Sequence, residues 1–102
     1  MAKGNRTALI TGSGRNIGRA CAKELAAMGF NIVVNGSRNK TDCERVADEV
    51  RAIGTDALVT MADIGDQAAV TAMAGTALKT FGRVDALVNN AAIRPGASFL
   101  EL

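Results

Sequence analysis

Short apolar runs alternate with longer amphipathic stretches along the chain, and glycines mark the changeovers. Thr7 to Thr11 is a short apolar run ending at glycine, the pattern of a buried strand. Ile17, Cys21, Leu25 and Met28 then recur at helical spacing and predict a helix with that line as its apolar stripe, stopped by Gly29. Ile32 to Val34 reads as a second strand. Thr41 to Glu44 has the T-x-x-E form of a capping box, which would satisfy the first amides of a second helix. Val46, Ala47, Val50 and Ile53 form the apolar stripe of that helix, and Gly54 stops it. Ala57 to Met61 is a third strand. Asp66 is placed to cap a third helix that carries Val70, Met73, Ala74, Ala77, Leu78 and Phe81 and stops at Gly82. Val84 to Val88 is a fourth strand, and the tail after Pro95 reads as loop until it turns apolar at Phe99 and Leu100.

This β-α-β-α-β-α-β order predicts an α/β fold, a parallel sheet with helices on its faces. Right-handed crossovers put the first two helices on one face. The third lies on the opposite face if the fourth strand sits beside the first, giving the strand order 3-2-1-4 of half a doubly wound sheet. The order reverses between strands one and four, and ligands of such sheets bind there, outside the carboxyl ends of the strands. The residues after strands one and four are therefore the first candidates for function.

Composition narrows the chemistry. A chain of 102 residues makes one domain, and 48% hydrophobic with 22% charged residues is a globular balance. With three Phe, no Trp and no Tyr, the core is aliphatic and no tyrosine acid or base exists in this chain. With no His, a Ser-His-Asp triad and a histidine metal cluster are excluded. A net charge of +2 is too small to argue for nucleic acid. Lys3, Arg6, Arg15, Arg19 and Lys23 all precede the first acid, Glu24, which suits either a transit peptide or a phosphate site. The glycine punctuation and the strand-like run argue against the transit peptide. No apolar run reaches the length of a signal core or membrane span, so no membrane partner is expected. Cys21 and Cys43 fit neither a CxxC pair nor a metal spacing and read as small buried thiols of a reducing, cytoplasmic compartment.

Between the first strand and first helix runs Thr11-Gly12-Ser13-Gly14-Arg15-Asn16-Ile17-Gly18. In such a place backbone amides and the positive helix end can cradle a phosphate, although an ordinary strand-helix turn also uses glycine. Gly12, Gly14 and Gly18 are one residue too long for G-x-G-x-x-G. They fit T-G-x-x-x-G-x-G instead, through Thr11, Gly12, Asn16 and Gly18, and here the chain resembles the short-chain dehydrogenase/reductase family. Asn16 stands where that family usually has Gly. Asn is the residue besides Gly that best tolerates a left-handed backbone, so the turn survives with less clearance for a pyrophosphate. After strand four, Asn89-Asn90-Ala91-Ala92 is similar to the family's N-N-A-G, which steadies the sheet and lies along the cofactor ribose. Asp63-Ile64, after strand three, matches the position that contacts adenine. The resemblance covers residues 6 to 92 and is strongest to the 3-oxoacyl-(acyl-carrier-protein) reductase and sugar-alcohol dehydrogenase branch. It implies the N-terminal half of a Rossmann fold, with cofactor contacts at Gly12, Ser13, Gly14, Arg15, Asn16, Ile17, Gly18, Ser37, Arg38, Asp63, Ile64, Asn90, Ala91 and Ala92.

Strand two bears on which dinucleotide is bound. An NAD site carries an acid at its end to hold the ribose hydroxyls. Here the strand ends Asn35-Gly36-Ser37-Arg38, without a carboxylate. A guanidinium is always charged and grips phosphate oxygens through a fixed fork. Arg38 with Ser37, flanked by Arg15, therefore favours NADP over NAD.

The resemblance also implies chemistry outside this sequence. The family's catalytic Ser, and its Tyr and Lys in Y-x-x-x-K, follow the fourth strand, and none is matched here; Ser98 comes too early and reads as a loop hydroxyl. The expectation is that residues 1–102 are an incomplete domain, the cofactor-binding half of an enzyme that transfers hydride between NADP(H) and a carbonyl or secondary alcohol, inactive alone. Its partners would be the remainder of the same enzyme or a second chain supplying the other half-sheet, with a homo-oligomer when complete. Two other readings stay open: a non-catalytic dinucleotide-binding or redox-sensing module, and a structural fragment without a ligand.

Overall fold

Alternate residues of a strand face opposite sides of its sheet, so a strand covered on both sides is apolar throughout. Thr7–Thr11 forms β1 and is buried at all five positions. The computed structural model describes residues 6–14 and 16–90. After β1 come α1 (Asn16–Ala27), β2 (Asn31–Gly36), α2 (Lys40–Ile53), β3 (Ala57–Met61), α3 (Gln67–Phe81) and β4 (Ala86–Asn89). The four strands form one parallel sheet in the order β3-β2-β1-β4, as the alternation predicts. Leu9 of β1 lies between Val33 of β2 and Leu87 of β4.

The two faces carry separate cores. Ala8, Ile10, Ile32 and Val34 pack on Ala22 and Ala26 of α1 and on Val46, Ala47 and Val50 of α2. Leu9 and Val33 point the other way, onto Met73 and Ala77 of α3. The bidentate pair of Arg19 with Glu49 ties α1 to α2 at the rim and holds the Glu49 carboxyl below its usual range. At the start of the sheet, Asp85 takes both backbone groups of Thr7. Its carboxylate accepts from Thr7 N at 2.9 Å, and its own N–H donates to Thr7 O at 2.8 Å. Among the described residues no helix is long and apolar enough to cross a membrane.

Two local expectations are corrected. The stripe of α1 is rotated: Ile17 is 68% exposed, and Met28, beyond the end of the helix, is 61% exposed. The buried line is Gly18, Ala22 and Ala26, with Cys21 and Leu25 packed at its flank. The helix lies so close to the β1 end that only small residues fit beneath it. A β-carbon on Gly18 would stand 2.3 Å from Gly12 O. The second correction concerns the cap of α2. Asn39 is the N-cap, its side chain accepting from Asp42 N at 3.0 Å, so Thr41 lies inside the first turn and the T-x-x-E sequence does not cap. Asn serves as well as Thr at this position and comes two residues earlier. Asp66 does cap α3, accepting from Ala68 N and Ala69 N, and Gly54 and Gly82 follow α2 and α3 as expected.

β2 is longer than its apolar run and includes two buried asparagines, Asn31 and Asn35. β4 is shorter than Val84 to Val88 predicts, and among the described residues it pairs on one side only.

Candidate dinucleotide site

The carboxyl ends of β1, β2 and β3 meet at the loop of Thr11 to Gly14. Gly12 has φ 62 and Asn16 φ 57, so the left-handed turn that sequence reasoning allowed an Asn to make is made by Asn16. Both backbone groups of Gly12 are held by side chains. Its N–H donates to Asn35 Oδ1 at 3.1 Å, and its carbonyl accepts from Asn90 Nδ2 at 3.2 Å. Ser13 N donates to Asn35 O at 2.8 Å. The Ser13 hydroxyl, fully buried, donates to Ile10 O and accepts from Asn35 N. The amides of Gly12 and Ser13 are thus engaged inside the protein, which narrows the phosphate cradle expected from the sequence. What remains is Gly14 and the opening turn of α1 at Asn16, Ile17 and Gly18, since a helix leaves its first amides without intrahelical acceptors. No acidic side chain stands in that turn to compete with an anion.

Beside the loop lie two adjoining cavities. One, of about 150 Å³, is lined by Gly12, Asn35, Ser37, Ala62, Asp63 and Ile64. The other, of about 200 Å³, is lined by Gly12, Gly14, Gly36, Ser37, Arg38, Asn39, Asp42 and Cys43. The structure therefore brings together Gly12, Gly14, Ser37, Arg38, Asp63 and Ile64. Ser13 braces the loop from beneath, Asn90 reaches it from the end of β4, and Ile17 and Gly18 begin α1 with Ile17 exposed. Arg15, Ala91, Ala92 and Ser98 lie outside the described residues.

Sequence reasoning missed three residues. In the sequence Asn35 marks only the place where an acid is lacking. It is a hub: besides receiving the Gly12 amide, its Nδ2 donates to Thr60 O and Ala62 O, each at 3.2 Å. An acceptor and a two-proton donor on one planar group suit a carboxamide and not a carboxylate. The signal available was a polar residue closing an apolar strand, since a buried polar group must find partners. Cys43 and Asp42 come from the start of α2, which an inspection of strand ends does not reach. A β-carbon on Gly36 would lie 2.5 Å from Cys43 Sγ, and one on Gly14 3.1 Å from it, so those two glycines let α2 approach the loop. Burial, then the charges of Asp42 and Glu44, hold the Cys43 thiol above its usual range, the opposite of an activated nucleophile. Both cysteines are free thiols.

A larger groove, of about 600 Å³, opens on the other face between α3 and β4, lined mostly by apolar residues such as Leu9, Val70, Met73, Leu78, Val84 and Leu87. It carries no ionisable group and offers apolar packing surface. Among the described residues no three His, Cys, Asp or Glu side chains could hold a metal together.

Comparison with known proteins agrees with the fold. The sequence model of the short chain dehydrogenase family matches residues 6–102. The chain is 41% identical over 91 residues to a 3-oxoacyl-(acyl-carrier-protein) reductase of Staphylococcus aureus, a match that covers 89% of this chain and 37% of that protein. Its fold is similar to that of acetoin dehydrogenase from Enterobacter cloacae, with a TM-score of 0.81 and 33% identity over 100% of this chain and 39% of that one. It is equally similar to a metagenomic short-chain oxidoreductase in complex with NADP, with a TM-score of 0.82 and 30% identity over 100% of this chain and 46% of that one. The chain spans less than half the length of each of these relatives.

Proposed function

Because the chain belongs to the short chain dehydrogenase family, we propose that it is the NADP-binding half of a longer oxidoreductase that transfers hydride between NADP(H) and a carbonyl or secondary alcohol. The observation that carries this reading is the double grip on Gly12. Asn35 and Asn90 hold the two successive peptides that meet at Gly12, and the cavities lined by that residue also contain Ser37, with Arg38 in one of them. Such rigidity is what a nucleotide-binding turn needs, because a loop already in its bound shape loses little freedom on binding.

In this reading the Gly14 amide and the first turn of α1 hold the pyrophosphate, Asp63 and Ile64 border the adenine, and Asn90 with Ala91 and Ala92 runs along the ribose. Arg38 and Ser37 take the 2′-phosphate. Arg38 is exposed at the cavity and has no ion-pair partner among the described residues. When bound, the cofactor would give a hydride to a carbonyl in its reduced form or take one from a secondary alcohol in its oxidised form. The proton would be handled by a tyrosine outside this chain, since the chain contains none. The length of the relatives and the one-sided pairing of β4 support a further half-sheet laid against that strand.

The test is titration of the full-length protein with NADP and NAD. A charged hydrogen-bonding partner contributes about 1.5–3 kcal/mol, so Arg38→Ala is expected to weaken NADP about 10- to 150-fold and to leave NAD nearly unchanged. Equal losses for both cofactors would make Arg38 structural and remove the NADP preference.

A further inference from the structure

The end of β2 carries no acid in sequence, yet the fold brings one there from α2. Asp42 lines the same cavity as Ser37 and Arg38. Its position is fixed: it stands in the first turn of α2, where its N–H is held by the Asn39 cap. Its Cβ lies 3.4 Å from the point where a β-carbon on Gly14 would be, so its stem packs against the glycine loop. The Asp42 side chain is only 19% exposed, and its ion-pair partner Arg45, at 3.5 Å, is 64% exposed. A pair made with so solvated a guanidinium neutralises the acid weakly.

The cavity therefore holds an anion as well as a cation, and on the cofactor reading above both face the 2′ position of the adenosine ribose. We propose that Asp42 is a specificity-determining residue whose carboxylate opposes Arg38, repelling a 2′-phosphate and favouring a free ribose hydroxyl. Arg38 and Asp42 pull the preference in opposite directions, and the site accepts both dinucleotides with a narrower margin than Arg38 alone would set. The inference rests on the reading under Proposed function, which the ligands below test separately.

The probes are AMP and adenosine 2′,5′-bisphosphate, which differ by the phosphate in question and require no catalysis. They are titrated calorimetrically against the full-length protein and its Asp42→Asn and Asp42→Ser variants. Removing one charge near a dianion in a partly solvated cavity is expected to tighten the bisphosphate about 3- to 10-fold, with AMP unchanged or weaker. The gain should shrink at high salt. A purely structural role for Asp42 would weaken both ligands together. A bisphosphate-to-AMP affinity ratio that stays at the wild-type value in both variants overturns the proposal and leaves the cofactor reading standing. Failure of the wild-type protein to bind either nucleotide overturns the cofactor reading, and this proposal with it.

Discussion

Gly18 has no room for a side chain. Beyond the 2.3 Å approach to Gly12 O, a β-carbon there would come 2.8 Å from Ser13 Cα and 3.0 Å from Asn90 Nδ2. Two of these three neighbours are backbone of the loop, which cannot rotate aside. Gly18→Ala must lift α1 from the β1 end, and overpacking of this kind costs about 1–3 kcal/mol. Denaturant titration of the full-length protein should show that loss, together with a nucleotide affinity at least about tenfold lower. A variant with wild-type stability and affinity would mean that the close contact does not shape the site. At this scale the sequence is readable where a backbone demand selects a residue type, as at Gly12, Asn16 and Gly18. It is silent on Asn35, Asp42 and Cys43, because their roles arise from contacts across the fold. Asn35 meets Gly12 at 23 residues' separation and Ala62 at 27. Nothing near an Asn in sequence announces that its carboxamide will join three strand ends.

The start of α2 allows a direct contest between two caps. Asn39→Ala removes the acceptor of the Asp42 amide and is expected to cost about 1 kcal/mol. Thr41→Ala, an exposed change within the first turn, should stay within about 0.5 kcal/mol. Comparison of the two denaturation midpoints decides it, and a larger effect at Thr41 would restore the capping box. The elements themselves were legible, since four apolar runs and three amphipathic stretches are the four strands and three helices observed. Their order was legible too, because handedness leaves few ways to connect them. The face of α1 was not. Hydrophobicity marks Ile17 and Met28 as core, but the distance between helix and sheet selects by size, and the small residues Gly18, Ala22 and Ala26 take the inside. The polar ends of β2 were cut short for a related reason. Asn31 and Asn35 look like boundaries by polarity, yet both are buried and bonded within the sheet region.

Across the whole molecule the fold is asymmetric. Among the described residues two helices cover one face and one helix the other, beside a strand paired on one side. Leu87 of β4 is 66% exposed and lines the groove of about 600 Å³ under α3. An apolar edge that stays unpaired, as this one is among the described residues, recruits another strand. The isolated 102-residue chain is therefore expected to self-associate or precipitate, as sedimentation velocity can show. A well-folded 10.5 kDa monomer would count against the proposed half-sheet beside β4. The pairing of β1 also sets a timetable for the nascent chain. β1 emerges first and becomes an inner strand of the sheet, but its two partners arrive far apart: Thr7 pairs with Asn31, and Ala8 with Ala86. At ordinary ribosomal speeds of about 5–20 residues per second, the interval between those arrivals is roughly 3–11 s. For that time a β1–β2 pair stands with one edge unfilled, long enough for a chaperone or another nascent strand to reach it before β4 does.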